Sequence, residues 1–354
     1  GSSNVASGYL ALSANTTASN NTAVGTTALD ANTTGANNTS VGKDALGANT
    51  TASNNTAVGY FALYSNTTGT SNTALGSDTL TLNTTGASNT AVGKQALDAN
   101  TTGGSNVAMG YQALDANTTA HSNTAIGTKS LSANTTGEEN TAVGEFALFT
   151  NTTASNNTAI GKAALKLNTT GHSLTAVGRS ALASSTTGNA NTALGKSALT
   201  ANTTGGANTA LGESALGYVT TGSENIAIGN QSGWWGSTPI TTGSNNVLVG
   251  DYAYVTTSAT NNANIFGYNV GGVSGYTTIG FAANDIRASH GNTSWATVSD
   301  ERYKKDITTS TAGLAFINDL TPRTWNYKTL GELPTTFNAY KADSTKVFKN
   351  TQTN

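Results

Sequence analysis

The sequence predicts an all-β protein, a parallel β-solenoid (a β-roll) built from 17-residue coils, followed by a small α+β segment. Three observations predict it: an uninterrupted 17-residue repeat, a body almost empty of charge, and a sudden return of charge and proline after residue 298. Only 10% of the 354 residues are charged, against about 25% in ordinary soluble domains. The last 56 residues hold 14 of the 34 charged groups and two of the three prolines, so a separate segment begins there.

The repeat reads N-T-A-V-G-x-x-A-L-x-x-N-T-T-G-x-x. It starts at Asn4, Asn21 and Asn38 and returns every 17 residues to Asn225, with Leu174 replacing the leading Asn once. The ninth position is Leu in every complete unit from Leu12 to Leu216. The fourth is almost always aliphatic, as in Val24, Leu75, Met109 and Ile160. Seventeen residues are too few for a helical hairpin, and the apolar spacing is not helical. Thr and Val favour short extended segments, and Gly and Asn supply turns with positive φ. Each unit is therefore expected to be one coil of two short strands and two tight turns. Strand spacing then makes fourteen coils a shaft about 65–70 Å long. The ninth-position Leu and the fourth-position aliphatic residue are expected to fill the coil. The many Ala positions would form a second apolar face that packs against identical chains, so the expected assembly is a homo-oligomer.

Composition excludes several function classes. A net charge of -2 gives no general attraction for nucleic acid or an anionic membrane. The absence of Cys rules out a disulfide framework and thiolate metal sites. No apolar run is long enough to span a bilayer, and no basic-then-apolar leader opens the chain. His121, His172 and His290 are isolated, and the scattered acids form no metal cluster or glycosidase pair, so no metal and no cofactor is expected. The Asn-Thr-Thr triplets are formal glycosylation sequons, but their strict period argues for a structural turn in which Asn adopts the left-handed conformation. Rows of Thr raise ice binding, and they are expected to be too interrupted for it. The Gly pair of Asn269 to Gly272 lacks the Lys and helix of a phosphate loop.

Three stretches follow: a shaft over 1–229, an aromatic-rich β transition or tip over 230–298, and the segment 299–354. In the second, Trp234 and Trp235 have two readings. They seal the open end of the solenoid or fill the axis of the assembly, or they form a platform on which a receptor glycan stacks. In the third, Leu314, Phe316, Ile317 and Leu320 predict a short amphipathic helix ending before Pro322.

Two resemblances attach to these motifs. N-T-A-V-G-x-x-A-L, over Gly1 to Gly229, resembles the head repeats of trimeric autotransporter adhesins and the fibre repeats of phage tail-fibre proteins. That implies a homotrimer of parallel β-rolls. The segment S-D-E-R-Y-K-K-D-I, Ser299 to Ile307, with Trp295 and Val298 before it and G-L-A-F-I-N-D-L-T-P-R-T-W-N-Y-K after it, resembles the start of the endosialidase-type intramolecular chaperone. Members of that family trimerise, template folding of the preceding fibre and cut themselves off with a Ser-Lys dyad. Carried onto this chain, the resemblance implies Ser299 as nucleophile, Lys304 as base and Val298-Ser299 as the cleaved bond. It also implies a domain continuing past Asn354, and the repeat register at Gly1 leaves room for an attachment domain ahead of it. A Ser hydroxyl needs such a base, and a Lys serves as one once its pKa is lowered.

The expected function is structural and adhesive: a phage tail fibre, in the virion tail and outside the cell, with a self-cleaving trimerisation chaperone. Its partners would be two further copies of itself, a host-surface receptor (a glycan or outer-membrane component) and other tail proteins, with no nucleic acid and no membrane insertion. The alternatives are a bacterial surface trimeric adhesin and a polysaccharide-degrading tailspike.

Overall fold

The computed structural model describes residues 1–234, 236 and 238–292, and the backbone of 296–297. These residues form an all-β unit without helices, a parallel solenoid of about 16 turns. Among them, no helix is long and apolar enough to cross a membrane. Each regular coil contributes one three-residue strand, from Val5–Ser7 and Thr22–Val24 onward to Ile226–Ile228. Neighbouring strands pair parallel and in register, Thr22 with Thr39, Ala23 with Ser40, Val24 with Val41.

The second strand expected in each coil is absent, and backbone handedness explains why. In the coil that begins at Asn38, Asp44, Leu46 and Asn54 have φ of 57°, 51° and 62°. Left-handed residues this close together break any extended run. The rest of the coil is a series of turns whose amides bond to the next coil, Leu29 N to Ala45 O at 2.9 Å and Thr33 N to Thr50 O at 2.9 Å. The invariant Leu is thus a left-handed residue, which costs about 1–2 kcal/mol. Its side chain is fully buried from Leu29 to Leu216, a gain of about 1.5–3 kcal/mol that offsets the strain. The Gly at position five has φ between 123° and 142° through Gly267. A Cβ there would sit within 3 Å of the next coil's backbone, 2.3 Å from Gly59 O in the case of Gly42. Only Gly fits.

Two apolar positions exchange the places expected of them. Strand residues alternate sides, and it is the Ala at position three that points inward, fully buried in Ala23, Ala57 and Ala91. A coil this narrow has room for Ala opposite the Leu, not for a second large side chain. The fourth-position residue therefore points outward, with Leu75 47%, Leu194 45% and Ile160 40% exposed. The outer apolar face is this aliphatic stripe, and the Ala positions belong to the core.

Asn fills the rest of the interior. The Asn of each Asn-Thr-Thr triplet from Asn32 to Asn202 is buried and has no left-handed φ. Asn49 Nδ2 donates to Asn32 Oδ1 at 2.9 Å and to Ala52 O at 3.1 Å. The leading Asn38 donates to the same Ala52 O at 2.9 Å, and its Oδ1 accepts from Asn55 N at 3.0 Å. Two Asn columns thus run through the shaft and satisfy each other and the backbone, the condition for burying amides. The columns break locally. Ser185 and Val219 replace Asn, and the oxygens Asn168 Oδ1 and Asn202 Oδ1 that would face an Asn there have no partner. Outside, the second Thr of the triplet is exposed in every coil from Thr17 to Thr242, so this Thr row is uninterrupted, contrary to expectation.

The solenoid continues past Gly229 with altered spacing. Its next strands are Val247–Val249, Asn264–Tyr268 and Tyr276–Phe281. The inner column enlarges from Ala to Leu248 and Ile265, and Ile240 fills the end of the coil before them. The parallel run stops where Asn284–Ser289 turns back antiparallel on Tyr276–Phe281, and Ala296–Thr297 pairs antiparallel with that strand in turn.

Candidate functional site

The aromatic region arises from a change of length. The strands Ile226–Ile228 and Val247–Val249 start 21 residues apart, four more than in the shaft, and the added length makes a bulge that begins at Trp234. Gly233, with φ 73°, takes the place of the invariant Leu and starts the bulge; a Cβ on it would meet Leu216 at 2.7 Å. The chain re-enters the core at Ile240. Trp234 stacks on Tyr218 of the preceding coil, with centroids 5.7 Å apart and planes 12° apart. Gly217 lies under the indole, where a Cβ would come within 2.7 Å. Three more strands of the column follow Trp234, so it lies against the side of the shaft and does not seal an open end. Trp235 falls outside the described residues.

A second aromatic group lies closer to the last strands. Tyr252 meets Tyr268 edge-on at 5.7 Å, and Tyr268 stacks on Phe281 at 5.2 Å and 21°. Tyr268 is 46% and Phe281 63% exposed, beside the outward Phe266, Ile279 and Ile286. In the shaft the position after the column glycine, held here by Tyr268 and Phe281, carries polar or charged residues or a single Tyr, so stacked aromatics beside the aliphatic stripe are peculiar to this end. Stacked aromatic faces flanked by polar groups suit a ligand with apolar and hydroxyl-bearing faces. On the inner side of the same hairpin Arg287 pairs with Asp285 at 3.3 Å and bonds Gly271 O at 3.4 Å. Sequence reasoning missed this pair, whose two residues are separated only by the outward Ile286. His290 Nε2 lies 3.3 Å from Thr277 Oγ1.

Acidic groups along the shaft stand in neighbouring coils. Burial pushes the Asp98 carboxyl above its usual range, helped by the charges of Asp78 and Asp115, and burial raises Asp115 and Asp30 as well. Among the described residues no group of three or more His, Cys, Asp or Glu is placed to hold a metal ion.

The implied dyad, Ser299 and Lys304, with Val298 and Trp295, lies outside the described residues, as does the predicted helix from Thr311 to Leu320. There the comparison with known families speaks. Residues 299–344 match the family model described as the chaperone of endosialidase. No curated protein and no solved structure matches the chain. A long β-solenoid with this segment behind it fits a structural protein of the phage tail-fibre or tailspike type that carries a C-terminal chaperone domain.

Proposed function

We propose that this chain is the shaft and distal part of a phage tail fibre, that three parallel copies of it associate, and that the fibre attaches the virion to a host-surface receptor. The observation that carries this reading is the outward aliphatic stripe. It runs one residue per coil from Val24 to Ile279 without a charged side chain. Together its residues expose on the order of 1,000 Å² of apolar surface, enough for a standard protein interface, which takes about 800 Å² per partner. A stripe of this length on a lone shaft is an aggregation hazard that parallel association removes. In-register copies align identical coils, so every stripe residue meets its counterparts.

The receptor contact falls to the aromatic groups, Trp234 with Trp235 and the Tyr252, Tyr268 and Phe281 row. Three chains present three such sites, and multivalency turns weak contacts into firm attachment. Mass photometry of the chain tests the association. A species near three times 35.6 kDa is expected, and a stable species of 35.6 kDa alone contradicts it. Antibodies against residues 1–292 should label virion tails in electron micrographs, and labelling of cell envelopes in place of virions contradicts the tail assignment.

The matched segment adds a single-turnover step. The Ser299 hydroxyl attacks the Val298 carbonyl carbon as Lys304 takes its proton. The Val298-Ser299 amide becomes an ester, and water hydrolyses it to a Val298 carboxylate and a new Ser299 amino terminus. Proximity favours this attack, because nucleophile and carbonyl share one peptide unit. Intact mass of the full reading frame's product should show two pieces for the natural chain and one for Ser299→Ala. Equal masses overturn the step.

A further inference from the structure

Charge along the solenoid is sorted into zones. In residues 1–145 acids outnumber bases eight to three, and in 213–292 four to one, so both flanks repel anions. Between Glu145 and Glu213 there is no carboxylate, and the charged side chains are Lys162, Lys166, Arg179 and Lys196. Coil geometry makes this stretch a surface feature. Lys162, Arg179 and Lys196 hold the sixth position of three consecutive coils. The strands before them pair in register, Ile160 with Val177 and Val177 with Leu194. The three cations therefore leave the shaft in one column, separated by the strand spacing of about 4.8 Å. All three are exposed, and so is Lys166 in the same coil as Lys162.

The outer two cations are anchored. Lys162 Nζ lies 2.7 Å from Glu145 Oε2, and Lys196 Nζ lies 2.6 Å from Glu213 Oε1. Arg179, between them, has no ion pair among the described residues, and both its column neighbours are cations. No other point of the column stacks like charges; Lys43 is followed by Tyr60, and Lys94 by Tyr111. A guanidinium held between two ammonium groups is unfavourable for the chain alone and becomes favourable once an anion arrives.

We propose that this belt is a docking surface for an acidic polysaccharide lying along the shaft. Arg179 takes a carboxylate or phosphate group in its two-pronged fork, and Lys162 and Lys196 contact neighbouring charges. A polymer suits the belt better than a small ion, because the belt is open and its cations are spread along a line, so linked charges bind together. A saccharide suits it better than nucleic acid for two reasons. The surrounding surface is Thr, Asn and Ser, which hydrogen-bond hydroxyls, and the Phe146 ring at the edge of the belt is already engaged by Lys166 Nζ, 5.7 Å from its centroid. The belt is independent of the tail-fibre reading, since its chemistry stands on the described residues alone.

The test is binding of the full chain to immobilised polygalacturonate, with dextran and single-stranded DNA as comparison probes. Binding is expected to weaken with added salt and to fall about tenfold or more in Arg179→Glu, the loss of one charge-assisted pair. Arg179→Ser should show a similar loss; Ser77 stands naturally in the same column, so this variant keeps the fold. Lys94→Glu, outside the belt, should bind as the natural chain does. Tighter binding to a phosphate-bearing glycan than to polygalacturonate supports the site and assigns phosphate as its anion. Unchanged binding in both Arg179 variants, equal binding to dextran, or preference for DNA overturns the proposal.

Discussion

The coils before Gly229 and those after it solve the same packing problem by opposite means. In the first set the interior is half polar: one left-handed Leu, two Ala and two Asn amides whose hydrogen bonds run from coil to coil. In the second the Asn columns give way to Ile240 and Ala263, and Leu248, Val255, Ile265 and Val270 fill the space. The first solution ties each coil to the next by directional bonds, and its leading Asn column spans even the 21-residue interval, where Asn246 Nδ2 donates to Asn225 Oδ1 at 2.9 Å. Past Asn246 the column ends at Ala263, and the apolar interior accommodates the following intervals of 17 and 13, because apolar contact is not directional. Rigid repetition suits a shaft, and variable length lets a bulge such as that at Trp234 place aromatic side chains on the surface.

Substitutions at glycine should separate the position-five column, which runs through both regions to Gly267, most strongly from the distal turns. Gly127→Ala would set a Cβ 2.7 Å from Gly144 C at φ 128°, a clash with backbone that cannot yield, and should cost about 4 kcal/mol or more. Gly275→Ala has φ 76° and nothing within 4 Å, leaving strain alone, about 1 kcal/mol. Urea unfolding of both variants measures the contrast, and equal losses would argue against stacked glycines in the shaft.

The Asn columns give the next largest effect. Asn100 bonds Asn83 Oδ1 at 2.7 Å and Gly103 O at 2.9 Å and accepts from Asn117 at 2.8 Å. Asn100→Ala should cost about 2–4 kcal/mol, since it leaves buried partners unsatisfied. Ser185→Asn should do the reverse and gain about 1 kcal/mol by giving Asn168 Oδ1 its donor. Thermal melts that move the two variants in the same direction would contradict the columns.

The smallest effect is in pH. Burial raises the folded pKa of Asp98 and Asp115 above the unfolded value of 3.8, so the folded state binds more protons in the window just above 3.8. These two groups therefore make the shaft less stable as pH rises through that window, and more stable as it falls. Asp98→Asn should flatten the dependence and raise the melting temperature slightly at neutral pH. A melting temperature that falls instead would show that the carboxylate stabilises the fold.

The period, the solenoid and the inward Leu were legible in the sequence, because a repeat without insertions permits little else. Which of Ala23 and Val24 faces inward was not. A strand of three residues has too few positions for alternation to declare its sides, and hydrophobicity favours the wrong residue when the interior is too narrow for Val. Left-handed Leu46 was equally hidden, since its backbone preference opposes the conformation that burial and inter-coil hydrogen bonds impose. In the distal region the aromatic residues were legible but their partners were not; the bulge that lays Trp234 on Tyr218 depends on four added residues that no periodicity describes. Ser299 and Lys304 are implied by resemblance alone, and the family match at 299–344 covers the stretch that holds both.

A density map of the shaft at side-chain resolution tests the account most directly. It should show a rise of about 4.8 Å per 17 residues, small Ala density and paired Asn columns inside, and the side chains of Val24, Leu75, Met109 and Leu194 outside against neighbouring chains. A map with those aliphatic side chains inside the coil and the Ala column on the surface would contradict it.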